Sequence, residues 1–134
     1  MKNSKGFTLM EIIVTTVILV GIAGLAMPSY FNSVEQSRTN EALTVLNVIH
    51  MGEKIYRLNN ATYWDGGANA TMAAINTNLN VDISPVYYTD VDFSAVGAGG
   101  YTVRATRNAV QGPAGRWFQN VWNEVASTLT STNG

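Results

Sequence analysis

Reactive residue types are scarce in this chain, and that narrows the chemistry it can perform. There is no cysteine, so disulfides, thiolate zinc sites and cysteine nucleophiles are excluded. His50 is the sole histidine; with no second one to share a metal or a proton, it reads as a solvated or rim residue on a helix. No nucleophile elbow is present, and the chain is not expected to be an enzyme. Asp90 and Asp92 fall on one face of a strand. A general acid–base pair or a calcium site can be drawn there, but a solvated strand face is the simpler reading. After Trp122 the only acid is Glu124, so no cofactor is expected and calcium is the one ion left open. Asn60-Ala61-Thr62 and Asn69-Ala70-Thr71 match the N-glycosylation pattern, with no acid two positions before either asparagine. Tyr30, Phe31, Tyr56, Tyr63 and Trp64 read as packing aromatics rather than an electron path.

One charge stands out. From Ile12 to Val34 there is no Asp, Glu, Lys or Arg. A bilayer core needs about 20 apolar residues of helix, so this run is long enough to cross one. Glu11 stands at its start. A carboxylate there costs a few kcal/mol unless it is protonated, paired or at the interface. It either sits at headgroup level or has a specific partner, and an N-terminal amine made by cleavage just upstream would be a good one. Lys2 and Lys5 precede the run, which predicts a cytoplasmic N-terminus and an exported remainder. A secretory signal would place a small-residue cleavage site after its apolar core, and no clear site follows here.

The segment Lys5-Gly6-Phe7-Thr8-Leu9-Met10-Glu11 resembles the processing motif of type IV prepilins and of type II secretion pseudopilins. The resemblance implies that a prepilin peptidase cuts after Gly6 and N-methylates Phe7. It assigns Glu11 to filament assembly and subunit register, and Pro28 falls where the family tends to place a proline. Met10 replaces a commoner isoleucine or leucine. The close match runs from Gly6 to about Tyr56; beyond that only the layout is similar. Loss of Lys2 and Lys5 with the leader would leave six basic residues against nine acidic ones, a net −3 instead of −1. Only 13% of residues are charged, and a generic nucleic-acid binder would be more basic.

The elements that must position these residues form an α+β layout. Residues 1–6 are the expected leader. A single helix is expected over 7–58, with 7–28 crossing the membrane and later lying in a filament core, and 29–58 amphipathic. Gly21 and Gly24 could allow close helix packing, and Pro28 predicts a kink or a melted stretch between Gly21 and Pro28. In the second half Val34, Ala42, Val45, Leu46, Ile49, Ile55 and Tyr56 form the apolar face, and Glu53 with Arg57 has the spacing of a surface ion pair. Asn59-Asn60 ends the helix with residues that tolerate left-handed geometry. Residues 59–85 form a connecting loop with a short helix around Met72–Leu79. Residues 86–134 form an antiparallel meander. Its first strand covers Val86–Val96, with Tyr87, Thr89, Val91, Phe93 and Ala95 on one parity. Its second covers 101–107, with Tyr101, Val103 and Ala105 inward and Arg104 outward. A third covers 117–121, and Trp122–Leu129 is a further strand or an irregular tail. The turns are Gly97–Gly100 and Gln111–Gly115, and Ser127–Gly134 reads as frayed.

The resemblance thus implies a structural subunit, a major pilin that polymerises with copies of itself into a helical extracellular filament for adhesion or motility. Stalk helices would bundle at its centre. Its partners would be the prepilin peptidase and an inner-membrane assembly platform, and it would sit in the bacterial inner membrane before assembly. The alternative is a major pseudopilin of a type II secretion system, acting in the periplasm.

Overall fold

The computed structural model describes residues 6–108, 116–123, 126 and 128–134. The expected leader residues Met1 to Lys5, the turn at Gln111–Gly115 and the acid Glu124 lie outside the described residues. Two helices come first, α1 over Leu9–Asn60 and α2 over Met72–Leu79. Four strands follow, β1 (Asp90–Gly97), β2 (Gly100–Thr106), β3 (Trp117–Asn123) and β4 (Thr128–Asn133). They pair antiparallel in chain order as one sheet. The architecture is α+β, a long N-terminal helix and a small antiparallel sheet.

The chain divides into two compact units, Met1–Ser37 and Arg38–Gly134. In the first, described from Gly6, the backbone is helical from Leu9 through Gly21, Gly24 and Pro28, so the melted stretch expected there is absent. The second contains the core. Along α1 its buried positions are Ala42, Val45, Leu46, Ile49, Gly52 and Glu53. This is the three-and-four spacing of one helix face. Ile55, expected on that face, is 54% exposed. The face turns instead through Gly52, where an added Cβ would lie 2.9 Å from the Leu79 Cβ. Glycine is what lets the end of α2 approach α1 so closely. Thr71 caps α2 by accepting from the Ala74 N–H, and Asn80 ends it in left-handed geometry. Ile75 and Leu79 are its buried residues.

The sheet lays Val91 and Phe93, then Tyr101, Val103 and Ala105, then Phe118 and Asn120, on one buried face. Arg104 points the other way and holds the Gln119 Oε1 through Nε at 3.2 Å and Nη2 at 2.9 Å. Fully burying a side chain such as Leu46 or Ile49 contributes about 1.5–3 kcal/mol.

Several expectations are corrected. β1 begins at Asp90, not Val86, because the N–H groups of Val86, Tyr87 and Tyr88 are taken by the Glu41 Oε1 at 2.9, 2.7 and 3.3 Å. That grip leaves Tyr88, not Tyr87, fully buried. Ala95 is exposed, with φ of 52° at the irregular end of β1. β3 runs on to Asn123, and the tail expected to fray is β4, paired with β3 from Phe118↔Asn133 to Asn123↔Thr128. α1 ends at Asn60, and the left-handed residue after it is Ala61, with φ of 59°.

Glu41→Ala removes one acceptor shared by three N–H donors. We expect it to lower the unfolding free energy by roughly 1–3 kcal/mol in urea titration, with Glu41→Gln intermediate. An unchanged midpoint in both would mean that packing alone holds residues 86–88.

Candidate assembly site and the buried polar joint

The residues around the predicted cleavage point form a helix start. Thr8 precedes α1, and its Oγ1 accepts from the Glu11 N–H at 3.2 Å. The Glu11 Oε2 accepts in return from the Thr8 N–H at 3.4 Å. This is a reciprocal cap: threonine and a glutamate three residues on satisfy two amides that a helix start leaves bare. The Glu11 carboxylate also lies at the positive end of the helix dipole. Both residues are exposed, and Phe7, just before the cap, is 80% exposed. The Thr8-x-x-Glu11 spacing is a capping signal legible in the sequence beside the processing motif.

Beyond the cap, the helix exposes apolar side chains on all sides, among them Ile12, Ile13, Val17, Ile18, Leu19, Ile22 and Leu25. Its few hydroxyls are turned back on the backbone: Thr15 Oγ1 donates to the Glu11 carbonyl at 2.5 Å, and Thr16 Oγ1 to the Ile12 carbonyl at 2.9 Å. Polar groups satisfied within the helix are what a hydrocarbon environment requires. By length and composition this helix can cross a membrane. A Cβ added at Gly6, Gly21 or Gly24 meets nothing within 4 Å, so no contact among the described residues demands glycine at those positions.

The second unit holds a cluster that the sequence reading missed. Glu53, expected in a surface pair with Arg57, is fully buried. Its Oε2 accepts from the Trp64 N–H at 2.9 Å, and its Oε1 has no hydrogen-bond partner. Arg57 lies over the Tyr63 ring, 4.9 Å from its centroid. His50 is half-buried at the rim, one of its two expected settings, and is not free: its Nδ1 is 2.5 Å from the Tyr101 hydroxyl and its ring is 4.9 Å from that of Trp122. The Trp122 Nε1–H donates to the Tyr63 hydroxyl at 2.7 Å. A helix, a loop and two strands are thereby joined by polar contacts inside an aromatic shell. The helical period could have flagged Glu53, which continues the series Ala42, Val45, Leu46, Ile49.

Burial pushes the Glu53 carboxyl up to about 7, against the Trp64 N–H, which favours the charged form, and with help from Asp65. Burial and the nearby Lys54 hold the His50 imidazole below its usual value. Burial, with Glu53 and Tyr63, pushes the Tyr101 phenol up, so it remains a donor. Asp92, the other acid considered above, accepts from the Asn69 N–H at 2.7 Å. Among the described residues no group of three or more His, Cys, Asp or Glu side chains could hold a metal ion.

Comparison with protein families, curated proteins and solved structures gives no match. The class that fold and site define is therefore an α+β chain with a membrane-length, capped N-terminal helix.

The two shifted groups fix a pH dependence. Glu53 binds its proton more tightly folded than unfolded. Its contribution is complete below the unfolded value of 4.5 and is lost as pH rises through about 7. His50 acts oppositely: its contribution is present above 6.5 and lost as pH falls through its lower folded value. We expect the thermal midpoint to fall between pH 5 and pH 8, and Glu53→Gln to flatten that slope in near-ultraviolet circular dichroism. A slope unaltered by Glu53→Gln would contradict the assignment.

Proposed function

We propose that this chain is a structural subunit of a type IV pilus-like filament, made with a short leader and held in a bilayer before assembly. The observation that carries this reading is the capped first half of α1, exposed and apolar from Leu9 to Phe31, whose one carboxylate, Glu11, stands next to the predicted cleavage point. Such a surface has no stable state in water and calls for lipid, or for the same helix from further copies. Cleavage after Gly6 would create an amine at Phe7. In a low-dielectric surrounding that amine and the Glu11 carboxylate of a neighbouring copy would neutralise one another. The α+β unit from Arg38 onward would then form the outer part of the fibre. The partners are further copies of the chain, a prepilin peptidase and an inner-membrane assembly platform. The role is structural and requires no catalytic centre.

Cap and charge can be separated experimentally. Glutamine completes the reciprocal cap as glutamate does but carries no charge. Glu11→Gln, as the only subunit in an assembly-competent host, should be processed normally yet give no fibres by electron microscopy. Wild-type fibre numbers from that variant would leave Glu11 with the cap as its only task. Gly6→Leu should leave uncut precursor in the membrane fraction, read by intact mass; a processed product would remove the cleavage assignment.

A further inference from the structure

The sheet ends on two edges of different character. Along β1, Ala70 donates to the Val91 carbonyl at 2.8 Å and Phe93 donates to the Gly67 carbonyl at 2.8 Å. The loop over residues 67–70 thus covers that edge. β4 is the other edge. Trp117 and Gly134 exchange both backbone hydrogen bonds, at 3.1 and 3.2 Å. Antiparallel pairs alternate, so Thr132, Thr130 and Thr128 also direct their N–H and C=O groups toward β3, opposite Gln119, Val121 and Asn123. Leu129, Ser131 and Asn133 therefore direct theirs away from the sheet. All six residues of β4 are exposed, and Thr-Leu-Thr-Ser-Thr-Asn contains no charge and no proline. Edge strands are ordinarily blunted by charge, proline, a bulge or a covering loop, and among the described residues β4 has none of these.

We propose that β4 is a docking edge for β4 of a second copy of this chain. The occupant follows from the two edges. Because β1 is covered, the edge pairing open to two copies is β4 with β4, which in antiparallel sense is self-complementary about a two-fold axis. Centred on Ser131, the pairing sets Ser131 opposite Ser131 and Leu129 opposite Asn133. Every outward-directed group then falls in a hydrogen-bonded pair. Centring on Thr130 would instead oppose groups already bonded to β3. The strand is uncharged, so two copies meet without like-charge repulsion, and Thr130 meets Thr132 across the junction on one sheet face. Successive subunits of a helical fibre are related by a screw, not by a two-fold. On the filament reading, and resting on it, this contact joins subunits of neighbouring fibres; the pairing itself does not depend on that reading.

The chain has no cysteine of its own, so single introduced thiols report proximity. Full-length chain carrying Ser131→Cys is oxidised in detergent micelles, with Ser94→Cys, an exposed residue of the covered strand β1, as the control. Opposite Cα atoms in a hydrogen-bonded pair lie about 5.5 Å apart, within disulfide reach. A covalent dimer is expected from Ser131→Cys and none from Ser94→Cys. In the Ser131→Cys background, Thr130→Lys places like charges near the axis, and Leu129→Pro removes an outward N–H while sparing the β3–β4 ladder. Each should abolish the dimer with circular dichroism unchanged. The proposal is overturned by no dimer, by equal dimer from Ser94→Cys through shared micelles, by a dimer surviving both substitutions, or by an edge that captures only unrelated extended peptides.

Discussion

A helix that is apolar all the way round cannot remain in water, and that constraint governs the first unit of this protein. Side chains from Phe7 to Phe31 are exposed, with no buried partner within the chain. The helix start there is capped by Thr8 and Glu11, and the Thr15 and Thr16 hydroxyls are turned back on the backbone. What remains unsatisfied is the surface alone, a demand for surroundings rather than for further folding. A bilayer and a bundle of like helices would both meet it, and on the proposed filament reading one segment serves first as an anchor and later as a core.

The second unit solves a different problem. A chain of this size without disulfides must fasten its loops by other means. Two glutamates on α1 do so. Glu41 gathers the N–H groups of residues 86–88, and Glu53 takes that of Trp64. Each ties a remote loop to the helix through backbone amides donating to a carboxyl oxygen, at positions where the helix also buries apolar side chains. The two differ in cost. Glu41 is only partly buried, whereas Glu53 is wholly enclosed and leaves one oxygen unbonded, which makes the second joint sensitive to protonation.

Much of the fold was legible because it follows local period. The α+β class, the end of α1 near Asn60, α2 at Met72–Leu79, and Tyr101, Val103 and Ala105 facing inward can all be read from spacing and turn residues. What could not be read was set by distant partners. Nothing near Val86 says that Glu41 will claim its amide. β4 is composed of Thr, Ser and Asn, and becomes a strand because β3 offers it a ladder. Glu53 looks like a surface residue until Trp64 closes over it, and nothing near the half-buried His50 announces its bond to Tyr101. At the candidate assembly site, Gly6, Phe7 and Glu11 carry the resemblance by type and spacing, while the reciprocal bonds of Thr8 and Glu11 give the same glutamate a second task within one chain.

That second task bears on reversibility. A glutamate already bonded to the Thr8 amide does not begin as a bare charge awaiting a mate. If it turns to an amine on another copy, one donor is traded for another; if the copies separate, the first donor is still there to take it back. Joining and parting would then be a relay of one carboxylate between two nitrogens. On the proposed filament reading, a subunit released from such a contact has its helix start already closed, ready for a further cycle without resynthesis.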